Sequence, residues 1–373
     1  MYLALKEIKN SKLRFTMIGA IIVLIAWLVF ILSGLGNGLG TISAASMKNM
    51  DTDYVVYEKG AGASFMKSSI SGDIKEDLLA ADGVDDAALF GQATVAISKG
   101  ETDNSEEKTD AVILGIEPGS FIEPAVIEGV QLDPDVENGV IADEKLKNEG
   151  YKLGDEIVVD GSLITLKIIG FVKGESFNHL PSIFSTVEQW RSYSYAAPGS
   201  DNGLPNVVNA IALQGEEMDP AAIDGKMEGI ETVTKSQALL GMPGYKAEMG
   251  TIYMMLAFLI VISAVVIGVF FYVLTIQKTQ QFGVMKAIGA SNHFVARSII
   301  AQVFVISLTS IIIGIILTYL TALIFPEGMP FSLNFGMVMI YAIALLIVSV
   351  LGSLVCVRRI SKVDPLTALG RVE

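Results

Sequence analysis

Cysteine and histidine are nearly missing from this chain of 373 residues, and most catalytic and redox constellations go with them. Cys356 is the single cysteine, which excludes an intrachain disulfide, a CxxC zinc site and a redox pair, so packing alone must hold the fold. His179 and His293 are the two histidines, and with no HExxH or GxSxG pattern there is no hydrolase constellation. No GxxxxGKS or GxxxxGKT phosphate loop is present, so ATP, if it is used at all, is held by another chain. The GxG within 33–40 follows an apolar run, whereas a dinucleotide fold needs a strand there. Charge is also missing from four long apolar runs. Without intramembrane carboxylates or bases, an ion-coupled relay has no groups to use.

What is abundant is apolar surface: 51% of residues are hydrophobic and the mean hydropathy is +0.54, beside 40 acidic and 26 basic side chains and a net charge of -14. The two traits separate along the chain. Residues 37–250 carry 36 acidic and 15 basic side chains, the remainder 4 and 11. So acidic a stretch is no partner for nucleic acid. The apolar runs 15–32, 252–276, 299–325 and 336–357 are each about the 20 residues that cross a bilayer. Lys6, Lys9, Lys12 and Arg14 precede the first; Lys278, Lys286 and Arg297 lie between the second and third; Arg358, Arg359, Lys362 and Arg371 follow the fourth. The positive-inside rule makes that side cytoplasmic. Both termini are then inside, 37–250 is outside, and an outer loop with Pro326, Glu327 and Pro330 joins the last two helices. Ser43, Ala44 and Ala45 resemble a signal-peptide cleavage site, but the first run exceeds the usual signal-peptide length. Gly34, Gly36, Gly38 and Gly40 continue it at overlapping GxxxG spacings. Either helices pack closely there, with Gly34 and Gly38 at the contact, or the helix end is loosened.

The stretch 37–250 reads as mixed α/β. Strand-like segments at 54–57, 87–97, 111–116, 156–159, 163–172 and 207–213 are interspersed with helix-like stretches at 73–81, 142–149, 187–192 and 220–228. Asp82-Gly83, Asp160-Gly161 and Pro198-Gly199 punctuate them, and the acidic segment 101–110 reads as an exposed loop. The expected fold is a membrane α-helical protein with four transmembrane helices and a large extracytoplasmic α/β domain between helices 1 and 2. Its divisions are 1–36, 37–250 and 251–373, with a cytoplasmic segment at 277–298.

Four motifs carry a resemblance over essentially the whole chain. "NGVIADEKLKNEGYKLGDEIVV" at 138–159 with "LKIIGFV" at 166–172, "QFGVMKAIGASNHFVARSII" at 281–300, "SKVDPLTALGRVE" at 361–373 and the start "LALKEIKNSKLRF" resemble the FtsX-like, or MacB-type, ABC permeases. The resemblance implies a bacterial plasma-membrane subunit that is not itself an enzyme. It would work as a homodimer with two copies of a separate ATPase subunit, whose closure on ATP is transmitted through 281–300. Independently of the family, Gly283, Ala287 and Gly289 are small enough to let a short helix lie close to a partner, and Lys278, Lys286 and Arg297 surround it with positive charge; a plain positive-inside loop would need the charges but not the small residues. Gln281, Gly283, Lys286 and Gly289 are the candidate coupling residues. Many family members carry Glu where this chain has Gln281, and Gln there is similar to the haem-exporting branch.

"FFYVLTIQK" at 270–278, "SGLGNGLG" at 33–40, "GMPF" at 328–331 and "GYKAEM" at 244–249 are also similar to that branch. The resemblance implies haem as the exported substrate, with no permanently bound cofactor and no metal site, and ATP on the partner. Lipoprotein, lipid or peptide export is the alternative, and so is non-transporting regulation of a cell-wall hydrolase. Haem iron accepts Tyr oxygen, His nitrogen or Met sulfur. Met242, Tyr245, Met249, Tyr253, Met254 and Met255 cluster just outside the second run, although the same residue types populate interfacial belts. Tyr245 is the leading candidate, with Met249 and His179 next and Met242 and Tyr253 beside them. The haem branch has a Tyr two residues before the position matched by His179. Phe177 stands there instead and cannot ligate.

Overall fold

The computed structural model describes residues 12–100, 108–162, 164–215, 217–326 and 329–360. Lys6, Lys9, segment 101–107, Glu327 and the tail 361–373 lie outside them, as do the side chains of Phe282 and residues 354–360. The chain divides into two compact units, residues 40–249 and the residues flanking them.

The unit 40–249 is built on the strands β1 (Tyr54–Glu58), β2 (Ile70–Ser71), β3 (Asp86–Lys99), β4 (Thr109–Ile116), β5 (Val126–Gly129), β6 (Gly139–Asp143), β7 (Glu156–Val159), β8 (Thr165–Val172), β9 (Ser176–Phe177), β10 (Leu180–Thr186), β11 (Val207–Val208), β12 (Ala210–Gln214) and β13 (Ile230–Thr234), all but β2 and β11 in one sheet. The strand order is β13-β1-β12-β3-β4-β10-β6-β8-β5, with β7 bridging β3 and β8, β9 paired to β10, and β11 and β2 forming a separate pair. The 14-residue β3 explains the layout. Its first half pairs with β12 and its far end with β7, so β3, β4, β10, β6, β8 and β7 close into a ring.

Alternation along each strand feeds two cores, one per sheet face. In β4, Ala111 and Ile113 join one core while Val112, Leu114 and Ile116 join the other. β1 divides the same way, Val56 against Val55 and Tyr57. The first core is closed by the helix Val187–Ser194, whose start carries a full capping box between Thr186 and Gln189. Its Trp190 sits on the cross-strand pair Gly91 and Gly115, where an added Cβ would stand 2.3 and 2.5 Å from the side chain of Trp190. Only glycine leaves room for that ring.

The helices, in chain order, are α1 (Lys12–Asn49), α2 (Lys75–Leu79), α3 (Lys145–Asn148), α4 (Val187–Ser194), α5 (Pro220–Lys226), α6 (Lys235–Gly241), α7 (Tyr245–Gln277), α8 (Thr279–Ala287), α9 (Asn292–Ala322) and α10 (Phe335–Ile360). Four of them, α1, α7, α9 and α10, are long and apolar enough to cross a membrane. The 38 residues of α1 exceed the about 20 that cross a bilayer, and its last residues, 40–49, belong to the α/β unit. Within the membrane unit α1 and α9 approach through small residues: a Cβ on Gly314 would stand 2.9 Å from that of Ala26, and one on Gly19 3.3 Å from Ser310 Oγ. Trp27 Nε1 donates to Thr321 Oγ1 at 3.1 Å across the same pair.

Some expectations shift. Ala142 and Asp143, read as the start of a helix, end strand β6, and α3 begins only at Lys145. Strands β2, β5, β6, β9, β10 and β13 fall outside the strand-like segments of the sequence. The segment 207–213 is interrupted at Asn209, whose side chain serves the backbone of Gln92 and Ser68.

Candidate functional site

In the α/β unit, residues 40–49 of α1, the β9–β10 hairpin and the first turn of α7 meet around one polar cluster. α1 is kinked at Ala44 (φ -147°, ψ 26°). Beside the kink, the carbonyls of Ser43 and Ile42 accept from the backbone N–H groups of Asn178 (2.8 Å) and His179 (3.2 Å). These two residues form the hairpin turn, both at positive φ (51° and 68°), as a two-residue turn of primed type requires. A histidine in that region is uncommon. Held there, His179 Nε2 lies 2.9 Å from Glu248 Oε1 and 3.1 Å from Ser43 Oγ, and Ser43 Oγ donates to Glu248 Oε2 at 2.7 Å. Both partners share one ring nitrogen, so this is not a hydrolase relay, in which the base faces its nucleophile and its orienting carboxylate with different nitrogens.

Softer groups surround this cluster. Lys48 Nζ stands 5.4 Å from the Tyr245 ring centroid. The Met249 thioether covers Gly40, where a Cβ would be 3.0 Å from Met249 Cε and 3.1 Å from Lys48 Nζ. Met242 and Met249 are buried, and Tyr245 is half-buried against the core that contains Met242. Tyr253 belongs to the other unit and is exposed. Phe177 is a core residue, edge-on to Phe65.

A second network lies deeper in the same unit. Glu175 accepts from Asn49 Nδ2 at 2.8 Å, and its backbone N–H donates to Asp143, which is fully buried. Burial pushes the Glu175 carboxyl up to about 7, with the charge of Asp143 adding to the rise and hydrogen bonds from Asn49 and Ser46 opposing it. Burial also raises Asp143, against the backbone N–H groups of Lys145 and Glu175 and the charge of Lys145. Ser46 Oγ and Ser182 Oγ, 3.0 Å apart, complete the tie to α1.

In the membrane unit, α8 carries Gln281 exposed, Gly283 buried and Lys286 half-buried. Gly289 ends it at φ 102°, its N–H bonded to Lys286 O and that of Ala290 to Met285 O, a Schellman termination. Nothing lies within 4 Å of a Cβ placed on Gly289, so the backbone turn itself requires the glycine. Ser291 Oγ then caps α9 by accepting from Phe294 N. Val284, Ile288 and Phe294 are exposed apolar side chains on this corner. Gly34 and Gly38 face the segment 330–331: a Cβ on Gly38 would be 2.3 Å from Pro330 O, and one on Gly34 2.5 Å from the Phe331 ring. Within this chain, a loop occupies the close approach.

Of the sequence candidates, Tyr245, Met249, Met242 and His179 therefore share one region. Glu248 and Lys48 carry no role in the sequence reading, and Ser43 figures there only in a cleavage-like site. Their signal was a polar residue placed inside or beside an apolar, glycine-rich run.

The family description "MacB-like periplasmic core domain" matches residues 15–225, and "FtsX-like permease C-terminal" matches 253–365. The chain belongs to the MacB-type, FtsX-like permeases. The putative hemin transport system permease HrtB of Staphylococcus epidermidis is 28% identical over 375 residues, covering 99% of each chain. The same-named protein of Staphylococcus haemolyticus is 26% identical over the full length of both. An uncharacterised ABC transporter permease of Mycobacterium bovis is 26% identical, covering 99% of each chain. The extracellular domain of the Gram-positive transporter YknZ is similar at 16% identity and a TM-score of 0.35, over 49% of this chain and 99% of that one. This ABC permease thus places its MacB-like α/β domain between the first membrane helix and the other three.

Proposed function

We propose that this permease extrudes haem from the membrane, driven by ATP that a separate ABC subunit hydrolyses. The observation that carries this reading is the gathering of Tyr245, Met249, Met242 and His179 with Lys48 around residues 40–49 of α1. A phenol, thioethers and an imidazole are the donor types that haem iron accepts, and an ammonium suits the haem propionates. Full-length relatives named for hemin transport support the same substrate. Haem partitions into lipid, so it is admitted sideways along the first two helices and released outward. Glu248 and Ser43 share His179 Nε2, so His179 is a group recruited once that bond opens, while Tyr245 is the leading ligand by the iron affinity of its phenol.

Two permease copies and two ATPase copies complete the proposed assembly, in the bacterial plasma membrane with both termini cytoplasmic. The exposed corner of Val284, Ile288 and Phe294, with Gln281 and Lys286, is the surface offered to the ATPase. Haem titration of the purified complex tests the substrate. The wild type should develop a Soret band that Tyr245→Ala weakens strongly and Met249→Ala weakens less. Unchanged bands in both variants would remove the site assignment. A cysteine at Asp135 should react with an impermeant maleimide in intact cells and one at Ser291 only after permeabilisation. The reverse pattern would invert the orientation.

A further inference from the structure

Lys278 is the single residue between α7 and α8, the corner at which the chain leaves a membrane helix for the coupling helix. A lysine at a membrane boundary ordinarily extends its ammonium toward water. Lys278 does the opposite. It is 9% exposed, while Arg297 on the same side of the unit is exposed and Lys286 half-buried. Its Nζ stands 5.0 Å from the centroid of Phe15, itself buried on α1. A small cavity beside it is walled by Phe271 and Thr275 of α7 and by Ile299 and Gln302 of α9. The apolar cluster around Phe15 also takes in Val295 of α9 and Met285 of α8. One side chain rooted at the α7–α8 corner therefore reaches the cytoplasmic ends of α1 and α9.

A cation over an aromatic face is directional, and its strength grows as water is excluded. α8 cannot shift at its root without moving Lys278, and Lys278 cannot move without losing or dragging the Phe15 ring. We propose that Lys278 is a positioning residue that transmits displacement of the coupling helix to α1 through the face of Phe15. The proposal rests on the permease reading, since it needs an ATPase that moves α8. It adds a specific mechanical link that an apolar packing contact would not provide, because a packing contact depends on volume and this one on charge.

The test uses the full complex of permease and ATPase in lipid nanodiscs, with Cys356→Ser and a spin label on a cysteine at the exposed Leu24 of α1. Electron–electron distance measurement between the two permease copies reads the movement of α1 when the ATPase is trapped with vanadate. The wild type should show a distance shift on trapping. Lys278→Met, which keeps the stem and removes the charge, should lose most of that shift while retaining at least half of the ATPase rate. Lys278→Arg should restore it. Phe15→Leu should match Lys278→Met, and the double variant should be no worse than either single one. If Lys278→Met fails to assemble, Phe15→Leu carries the same test. A full shift in Lys278→Met or Phe15→Leu, or a Lys278→Arg as defective as Lys278→Met, would overturn the proposal. A wild type with no shift, in a complex whose ATP hydrolysis the permease alters, would overturn this inference alone, whereas hydrolysis indifferent to the permease would overturn the coupled-transport reading.

Discussion

The two units treat their polar groups in opposite ways. In the α/β unit, polar side chains reach across the sequence: Asn209 serves Gln92 and Ser68, Lys75 pairs with Glu117, and Glu175 meets Asn49. In the membrane unit, Ser263, Thr309, Thr318 and Ser349 return their hydroxyls to a carbonyl four residues back in their own helix. Lipid offers no partner to an unsatisfied group, so local closure is the safe solution there. Tertiary order there rests mainly on shape, as at Gly314 against Ala26 and Gly19 against Ser310, with the Trp27–Thr321 hydrogen bond as a polar tie across the same pair. The α/β unit should thus respond to cavities and pH, the membrane unit to added volume.

The largest effect should follow from emptying the seat on Gly91 and Gly115. Trp190→Ala is expected to cost about 3–5 kcal/mol, seen as a large fall in the unfolding midpoint of the α/β unit with the membrane helices still folded. Simultaneous loss of both units would erase the contrast.

Next is pH. Glu175 is held near 7 in the fold against an ordinary 4.5, so between these values the folded state binds the extra proton. Its contribution is greatest below pH 4.5 and is lost as pH rises through 7, a difference of about 3 kcal/mol. Glu175→Gln should flatten this slope and be the more stable protein at pH 8. Parallel wild-type and variant curves between pH 5 and 8 would contradict the assignment.

Volume comes third. Gly314→Val places methyl groups against Ala26 and the backbone of Trp27, and is expected to cost about 1–3 kcal/mol in detergent thermal unfolding. An unchanged midpoint would show that α1 and α9 are not packed through this glycine. The smallest effect belongs to Gly289→Val, about 1–2 kcal/mol from a left-handed backbone, confined to the end of α8 and read as faster hydrogen exchange there. Exchange unchanged at the end of α8 would remove the argument for its Schellman termination.

The same division governs what could be read in advance. The four membrane helices were legible because length and hydropathy are local properties. The strands at 54–57 and 156–159 are legible because short compact runs of β-branched and aromatic residues are local too. β6 was not: Ala142 and Asp143 look helical beside "EKLKNEG", and their strand character comes from pairing with β8 and β10 on either side. β10 hid behind Pro181, which is tolerated where it pairs with the two-residue β9. In the site, Tyr245 and Met249 announced themselves by type. Glu248 could be recognised only through His179, 69 positions away, presented by a turn whose backbone conformation no spacing rule discloses.

The central claim joins the chemistry of the α/β unit to the strokes delivered in the membrane unit, and one measurement addresses both: ATP hydrolysis by the purified complex in nanodiscs as haem is titrated in. The account predicts stimulation in the wild type and loss of that stimulation, with basal hydrolysis intact, in Tyr245→Ala. Equal hydrolysis with and without haem in the wild type, or undiminished stimulation in the variant, would contradict it.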